Sequence, residues 1–183
     1  MGLGSYWGEV IDVLQEIIPV YDKVNSYISL GKDSEHRNRA ISGRIQDGDK
    51  ILDAGSGFGN MSKTALDITN GKVEIVLYDP LLPMIKNSNR LFKKKPEATC
   101  GVFEHAPFRN QQFDIVLSGY SLRDAISLKI AISEIHRVLK NDGKWIIVDL
   151  GKPDKSIVRF GVSFYLKLIL PIVAYAAGGR LGL

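Results

Sequence analysis

The chain is 183 residues long and 45% hydrophobic, which is enough for one domain with a substantial buried core. Its 24 basic and 20 acidic residues give a net charge of only +4, a mild excess that would permit a nucleic-acid or anionic-membrane partner but is weak evidence for one, and no nucleic-acid partner is predicted. The single cysteine, Cys100, excludes an intramolecular disulfide or a multi-cysteine metal site, and we expect it to lie in the core. Residues 1–10 lack a secretory leader pattern, which favours a cytoplasmic protein.

Short segments rich in β-branched and aromatic residues alternate with segments of helical spacing. A helix is predicted at residues 128–140, with Ile132, Ile135 and Leu139 on one face. Lys140 is expected in its last turn, before an Asn-Asp-Gly stop. This alternation predicts a doubly wound α/β fold, a mostly parallel sheet with helices on both faces and right-handed crossovers. The predicted strands are residues 50–54, 73–78, 99–103, 113–118 and 145–150.

A glycine-rich stretch, Asp-Ala-Gly-Ser-Gly-Phe-Gly-Asn, follows the first predicted strand. Glycines between a parallel strand and a helix let the backbone approach a nucleotide-like ligand, and the helix amino terminus offers free N–H groups. A dinucleotide-binding protein needs a third small residue where Asn60 stands, so the spacing opposes a nicotinamide-dependent oxidoreductase. Asp79 ends the second strand, where a carboxylate accepts hydrogen bonds from ribose hydroxyls in either class of protein.

An ordered series of motifs extends from residue 21 to residue 179. The stretch ILDAGSGFGNMS resembles motif I of class I S-adenosylmethionine-dependent methyltransferases. The later segments PF…FD, LRD, EIHRVLKNDG and KP, together with YDKVNSYISLG upstream, are similar to the ubiquinone/menaquinone biosynthesis C-methyltransferase family. The resemblance implies S-adenosyl-L-methionine as cofactor and methyl transfer to a small, lipophilic, aromatic or quinol-like acceptor. With this resemblance we expect the strand order 3-2-1-4-5, and no metal site is predicted.

The resemblance also implies a set of site residues. Val102 stands where the family has Asp or Asn, which leaves only backbone contacts to the adenine there. Gly119 replaces a serine, with Ser118 as a substitute, and His36 stands where Trp is usual. Catalysis is assigned to Tyr21, from an amino-terminal lid, and to Arg123 and Asp124. The implied cofactor-binding residues are Asp53, Gly55, Gly57, Gly59, Ser62, Asp79, Pro80, Val102, Phe103, Ser118 and Gly119.

Methyl transfer from a sulfonium has chemical requirements that do not depend on the resemblance. A methyl group on a sulfonium is an electrophile, and a dry pocket with in-line positioning accelerates its transfer without a covalent enzyme intermediate. A ring-carbon nucleophile needs an ionised neighbouring hydroxyl and later removal of the ring proton. Asp124 could be the base or could only pair with Arg123, and Tyr21 could equally be a packing residue of an amphipathic helix.

Helical segments outside the α/β core are expected at both termini. We divide the single methyltransferase domain into a helical lid (residues 1–45), a core (46–153) and an apolar helical segment (154–183). Residues 160–177 carry one charge, Lys167, and are nearly long enough to cross a bilayer. Because Pro171 and Lys167 interrupt this run, an interfacial or folded-back helix is favoured, and peripheral membrane contact is a hypothesis.

The sheet is expected to lack the antiparallel hairpin that usually follows the fifth strand in this class. An exposed sheet edge needs cover, and we predict that residues 160–177 or a homodimer contact supplies it. A truncated or decayed methyltransferase is an alternative explanation. The absent hairpin, Val102 and Gly119 also leave open a non-catalytic nucleotide- or partner-binding module that retains the fold.

Overall fold

A computed structural model describes residues 26, 29, 31–149, 151 and 154–169. These residues fall into two compact units, residues 36–149 and the described residues on either side of that range. The helices are α1 (Asp33–Ile41), α2 (Asn60–Ile68), α3 (Leu82–Asn87), α4 (Leu128–Val138) and α5 (Ser156–Phe164). The strands are β1 (Lys50–Ala54), β2 (Glu74–Asp79), β3 (Glu97–Cys100), β4 (Phe113–Gly119) and β5 (Leu139–Val148). Short 3-10 turns occupy Ser88–Arg90 and Leu122–Asp124, and a π-helical turn occupies Tyr165–Ile169.

The five strands form one parallel sheet of order β3-β2-β1-β4-β5, which confirms the predicted topology. The register pairs Asp53 of β1 with Leu77 of β2 on one side and with Leu117 of β4 on the other. Consequently the carboxyl ends of the three central strands lie side by side. Ligands of doubly wound proteins bind at this edge, where the strand order reverses.

The central strands are buried on both faces, as expected for a parallel sheet covered by helices. One face packs Ile51, Leu77 and Leu117 against Met61 and Ala65 of α2. The other face carries a second cluster, in which α4 covers β1, β2 and β4, formed by Leu52, Val76, Phe113, Val116, Ala131, Ile135 and Val138. Each large aliphatic side chain buried in this way contributes about 1.5–3 kcal/mol. The core therefore holds the ligand-binding edge rigidly.

The junction of α4 and β5 differs from the prediction. The helix ends at Val138, and β5 begins at Leu139, so Lys140 is in a strand and not in the last helical turn. The helix stops because the backbone N–H groups of Gln111 and Gln112 donate to the carbonyls of Arg137 and Val138. The Asn-Asp-Gly stretch then lies within β5, where the pairing with β4 shifts register.

Cys100 is exposed, so its expected place in the core was wrong. It ends β3, which is an edge strand and is mostly exposed along its length. The third strand itself, Glu97–Cys100, begins and ends earlier than predicted. Residues 101–103 instead enter a loop in which the Val102 carbonyl accepts hydrogen bonds from the Tyr78 hydroxyl and the His105 amide.

No helix among residues 31–149 and 154–169 is long and apolar enough to cross a membrane. Residues 170–177 of the apolar 160–177 run, including Pro171, lie outside the described residues. The predicted cover of the β5 edge therefore stays a prediction.

Candidate cofactor and active site

The three glycines after β1 are required for two different reasons. All adopt left-handed backbone angles, which favour glycine. A Cβ on Gly55 would lie 2.3 Å from the Cβ of Ser121, and one on Gly59 would lie 2.7 Å from the Phe92 ring. Around Gly57, in contrast, no atom of the described residues lies within 4 Å of that position. Gly55 and Gly59 thus permit close packing of the protein, whereas Gly57 leaves the backbone open to a ligand.

Asp79 lies beside this turn at the carboxyl end of β2. Its Oδ2 accepts from the Gly57 amide at 2.7 Å, and its Oδ1 accepts from the Leu81 amide at 2.8 Å. Burial raises the pKa of Asp79 to about 6; the two amides oppose the rise, and the charges of Asp53 and Asp124 add to it. A carboxylate offers about four lone-pair directions, so Asp79 can still accept hydrogen bonds from a ligand.

Asp53, in β1, is fully buried. Its Oδ2 accepts from the Ser62 amide at 3.0 Å and from the Ser62 hydroxyl at 2.6 Å. Burial raises its pKa to about 6, against the Ser62 hydrogen bonds and the positive charge of Arg37. Its Oδ1 is one of three buried side-chain oxygens with no partner among the described residues, and Ser56 Oγ, in the same turn, is another. Two unpaired acceptors within four residues indicate a place for a donor-bearing ligand.

The remaining residues assigned to cofactor binding have mixed surroundings. Ser62 is fully buried and orients Asp53, and half-buried Pro80 directly follows Asp79. Phe103 is buried, with its ring close to the Gly55 position. A Cβ on Gly119 would lie 2.6 Å from Met61 Cγ, so this glycine lets β4 approach α2.

Ser118 already has a partner outside the glycine turn. Its Oγ accepts a hydrogen bond from Trp145 Nε1 at 3.1 Å, and its side chain is 1% exposed. The hydroxyl is therefore committed to β5. Val102 is buried and aliphatic, so only its backbone can bind a polar ligand.

The residues assigned to catalysis are only partly described. Arg123 and Asp124 form the 3-10 turn after β4, and Arg123 is exposed. Partial burial raises the pKa of Asp124, Arg123 opposes the rise and Asp149 adds to it. Tyr21 lies outside the described residues.

Sequence reasoning missed three residues that support the site. Ser121 fills the space beside Gly55 and donates to the Ala54 carbonyl at 3.1 Å. Phe92 packs on Gly59, and Arg37 places a positive charge near Asp53. All three are far from the glycine turn in sequence, so no local pattern could identify them.

Two clefts, of about 750 and 530 Å³, lie away from this site. The first is bordered by Lys50 and Glu74, which begin β1 and β2, and therefore lies at the opposite edge of the sheet. Two ion pairs line it, Lys50 with Glu74 at 3.6 Å and Lys63 with Asp67. Cleft size alone does not make it a functional site, because buried, unpaired polar groups converge at the glycine turn instead.

The fold and the glycine turn place the chain in the class of Rossmann-like, S-adenosyl-L-methionine-dependent methyltransferases. The model of the ubiE/COQ5 methyltransferase family matches residues 4–177, and the chain belongs to this family. The resemblance seen in the motifs is thereby confirmed.

Individual relatives agree with this assignment. The chain is 28% identical over 166 residues to a demethylmenaquinone methyltransferase of Lactobacillus johnsonii, covering 87% of this chain and 68% of the relative. It is 29% identical over 174 residues to the ubiquinone/menaquinone biosynthesis C-methyltransferase UbiE of Campylobacter jejuni, covering 90% of this chain and 74% of that relative. Among solved structures, the YcgJ protein of Bacillus subtilis shares the fold, with a TM-score of 0.60 at 22% identity. That match covers 75% of this chain and 60% of the solved one.

The residues present fit S-adenosyl-L-methionine. The cofactor carries a ribose with two hydroxyls and cationic sulfonium and ammonium groups, which suit a site with two buried carboxylates. Asp79 is placed to accept from hydroxyls, and the unpaired Asp53 Oδ1 offers an acceptor beside the glycine turn. The open face of Gly57 provides the close backbone approach.

The buried Asp53 makes folding depend on pH. Because its folded pKa of about 6 exceeds the ordinary 3.8, its protonation favours folding below about pH 3.8, and this contribution is lost as the pH rises through about 6. Asp53→Asn is therefore expected to be more stable relative to wild type at about pH 7.5 than at about pH 4, by up to about 3 kcal/mol without cofactor. Urea unfolding at both pH values measures this difference, with the exposed Asp142→Asn as control. A difference that does not change with pH would contradict the expectation.

Proposed function

We propose that the chain transfers a methyl group from S-adenosyl-L-methionine to a carbon atom of a small, lipophilic, aromatic or quinol-like acceptor. The observation that carries the proposal is the contact of the Gly57 amide with Asp79, next to the unpaired buried oxygen of Asp53. The relatives named as demethylmenaquinone and ubiquinone/menaquinone methyltransferases support the acceptor class.

The site residues have separate roles in cofactor binding and in the reaction. When bound, the cofactor supplies an electrophilic methyl group. Asp79 accepts hydrogen bonds from ribose hydroxyls, and Asp53 accepts a hydrogen bond through Oδ1. Arg123 stabilises the ionised hydroxyl of the acceptor, and Asp124 accepts the ring proton after transfer. The raised pKa of Asp124 makes its carboxylate a stronger base than an ordinary aspartate. Tyr21 remains a proposed lid residue.

Label transfer tests the proposal. The full chain is incubated with methyl-labelled S-adenosylmethionine and a reduced, short-chain demethylmenaquinol, and label in the quinol is measured. Arg123→Ala is expected to reduce turnover about 100-fold while sparing S-adenosylhomocysteine affinity. The exposed Arg109→Ala serves as the matched control. Cofactor binding without transfer to any quinol would favour the non-catalytic binding module, and wild-type turnover by Arg123→Ala would remove Arg123 from the mechanism.

We also propose that α5 rests on a membrane surface from which a lipophilic acceptor enters. Several of its apolar side chains face solvent among the described residues, with Ile157 81% and Phe160 72% exposed, and Leu168 in the following π-helical turn is 53% exposed. Lys155 and Lys167 flank them and suit an anionic surface. The cytoplasmic location and the homodimer contact remain predictions.

Cosedimentation with anionic lipid vesicles measures this contact. Phe160→Asp is expected to reduce the bound fraction severalfold, because burying a charge in the interface opposes binding. Ile126→Asp is the control, since Ile126 is also well exposed, at 59%, but belongs to the other unit. Equal loss in both variants, or none in either, would refute a specific role of α5.

A further inference from the structure

Tyr120 has an unusual backbone conformation. It directly follows β4 and has a φ of 59°, in the left-handed region that aromatic residues rarely adopt. Hydrogen bonds on both sides maintain this conformation: the Tyr120 amide donates to the Val148 carbonyl at 2.7 Å, and the Ser121 hydroxyl donates to the Ala54 carbonyl. Conformations of this kind persist where the surrounding structure requires them, and they concentrate at functional sites.

The consequence of this conformation is a contact with α1. The Tyr120 hydroxyl lies 3.1 Å from His36 Nδ1, across 84 residues of sequence. When the imidazole proton is on Nε2, the hydroxyl donates and Nδ1 accepts. The ring of Tyr120 is half-buried and packs on the cluster that contains Met61, whereas His36 is exposed to water.

The pair lies beside the residues already assigned to the cofactor. Tyr120 is preceded by Gly119, which touches Met61 of α2, and is followed by Ser121, which touches Gly55. On α1, Arg37 follows His36 and acts electrostatically on Asp53. The hydroxyl and the imidazole are therefore near the carboxyl edge of the sheet, and Arg123 follows Tyr120 by three residues in the chain.

A purely structural role does not account for this pairing. A phenylalanine would fill the same half-buried space, and a hydrogen bond to an exposed side chain contributes little to folding. A phenol linked to a solvent-exposed imidazole is, in contrast, a chemically complete path for a proton, because one ring nitrogen can accept a proton while the ring releases another to water.

We propose that Tyr120 is a catalytic residue that removes the hydroxyl proton of the acceptor and passes its own proton to His36. This step rests on the proposed function. The acceptor O–H bond breaks and its electron pair stays on oxygen, ready to be shared with the reacting ring carbon. A new O–H bond forms on Tyr120 as its original proton moves to His36 Nδ1. The resulting imidazolium releases a proton to water.

The test compares acceptors of different acidity. The label-transfer assay uses one quinol with a weakly acidic hydroxyl and one whose hydroxyl is already ionised at the assay pH. Tyr120→Phe and His36→Gln are each expected to slow transfer to the weakly acidic quinol about 100-fold and to leave transfer to the ionised one nearly unchanged. Gln at position 36 can still accept the hydrogen bond but cannot take the proton. His136→Gln, at an exposed position on α4, is the control.

The outcomes separate the two claims. Equal losses on both quinols, or full activity of His36→Gln, would reduce the pair to a structural contact and overturn the inference while leaving the methyltransferase function intact. Absence of transfer by the wild-type chain would overturn both. Titration with S-adenosylhomocysteine is expected to give wild-type affinity for both variants, which excludes misfolding as the cause of a slow rate.

Discussion

Asp79→Ala is expected to weaken the binding of S-adenosylhomocysteine by about 1 to 3 kcal/mol, which is roughly a 5- to 150-fold rise in Kd. The carboxylate is buried at the end of β2, and its two amide partners fix its direction. Its loss removes charge-assisted hydrogen bonds to the ribose and also releases the Gly57 amide from its acceptor. Isothermal titration calorimetry measures the change in affinity.

Two further variants interpret that result. Asp79→Asn keeps the shape and one acceptor oxygen, so it is expected to fall between wild type and alanine. Asp142→Ala removes an exposed carboxylate in β5 and is expected to bind as wild type does. Unchanged affinity of Asp79→Ala would exclude Asp79 from the cofactor site.

Gly55→Ala is expected mainly to lower folding stability, whereas Gly57→Ala is expected mainly to weaken cofactor binding. Both positions have positive φ, 71° and 54°, so an alanine at either costs about 1–2 kcal/mol of backbone strain. Only at Gly55 does the new methyl group overlap another atom, the Ser121 Cβ at 2.3 Å. Overpacking of this kind adds about 1–3 kcal/mol, so Gly55→Ala is expected to lose the larger amount of folding stability.

Urea unfolding and cofactor titration on both variants separate folding from binding. Gly57→Ala is expected to remain folded but to bind S-adenosylhomocysteine more weakly, because its methyl group enters the open space over the turn. Ser121→Gly in the Gly55→Ala background is expected to recover part of the lost stability by removing the overlapping atom. Equal destabilisation by the two alanine substitutions would contradict the different roles of the two glycines.

The topology and the main pair of site residues could be predicted from the sequence. Alternating periodicities require a covered parallel sheet, and the crossover through the glycine turn and α2 places β1 beside β2. Adjacent parallel strands must end at the same edge, which brings Asp79 to Gly57. These features depend on local pattern and chain connectivity alone.

The supporting contacts could not be predicted, because they depend on tertiary register. Ser121 meets Gly55 only because β4 pairs with β1, and Ser118 meets Trp145 only because β5 follows on the other side. The start of β5 at Leu139 was also missed. The helical sequence pattern continues to residue 140, but α4 already ends at Val138, where the amides of residues 111 and 112 bind its last carbonyls. The exposure of Cys100 follows from its position on an edge strand, which an apolar residue type does not reveal.

The hydrogen bond from the Gly57 amide to Asp79 Oδ2 couples the glycine turn to the carboxylate that is proposed to hold the ribose. A nucleoside that draws on Asp79 is therefore expected to shift the Gly57 peptide plane, and with it the backbone that is open to the rest of the cofactor. The free energy of binding adenosine and methionine together should consequently differ from the sum of their separate binding free energies. The binding free energy of an inhibitor that joins the two fragments would then include this coupling free energy, which arises from a single peptide group of the protein.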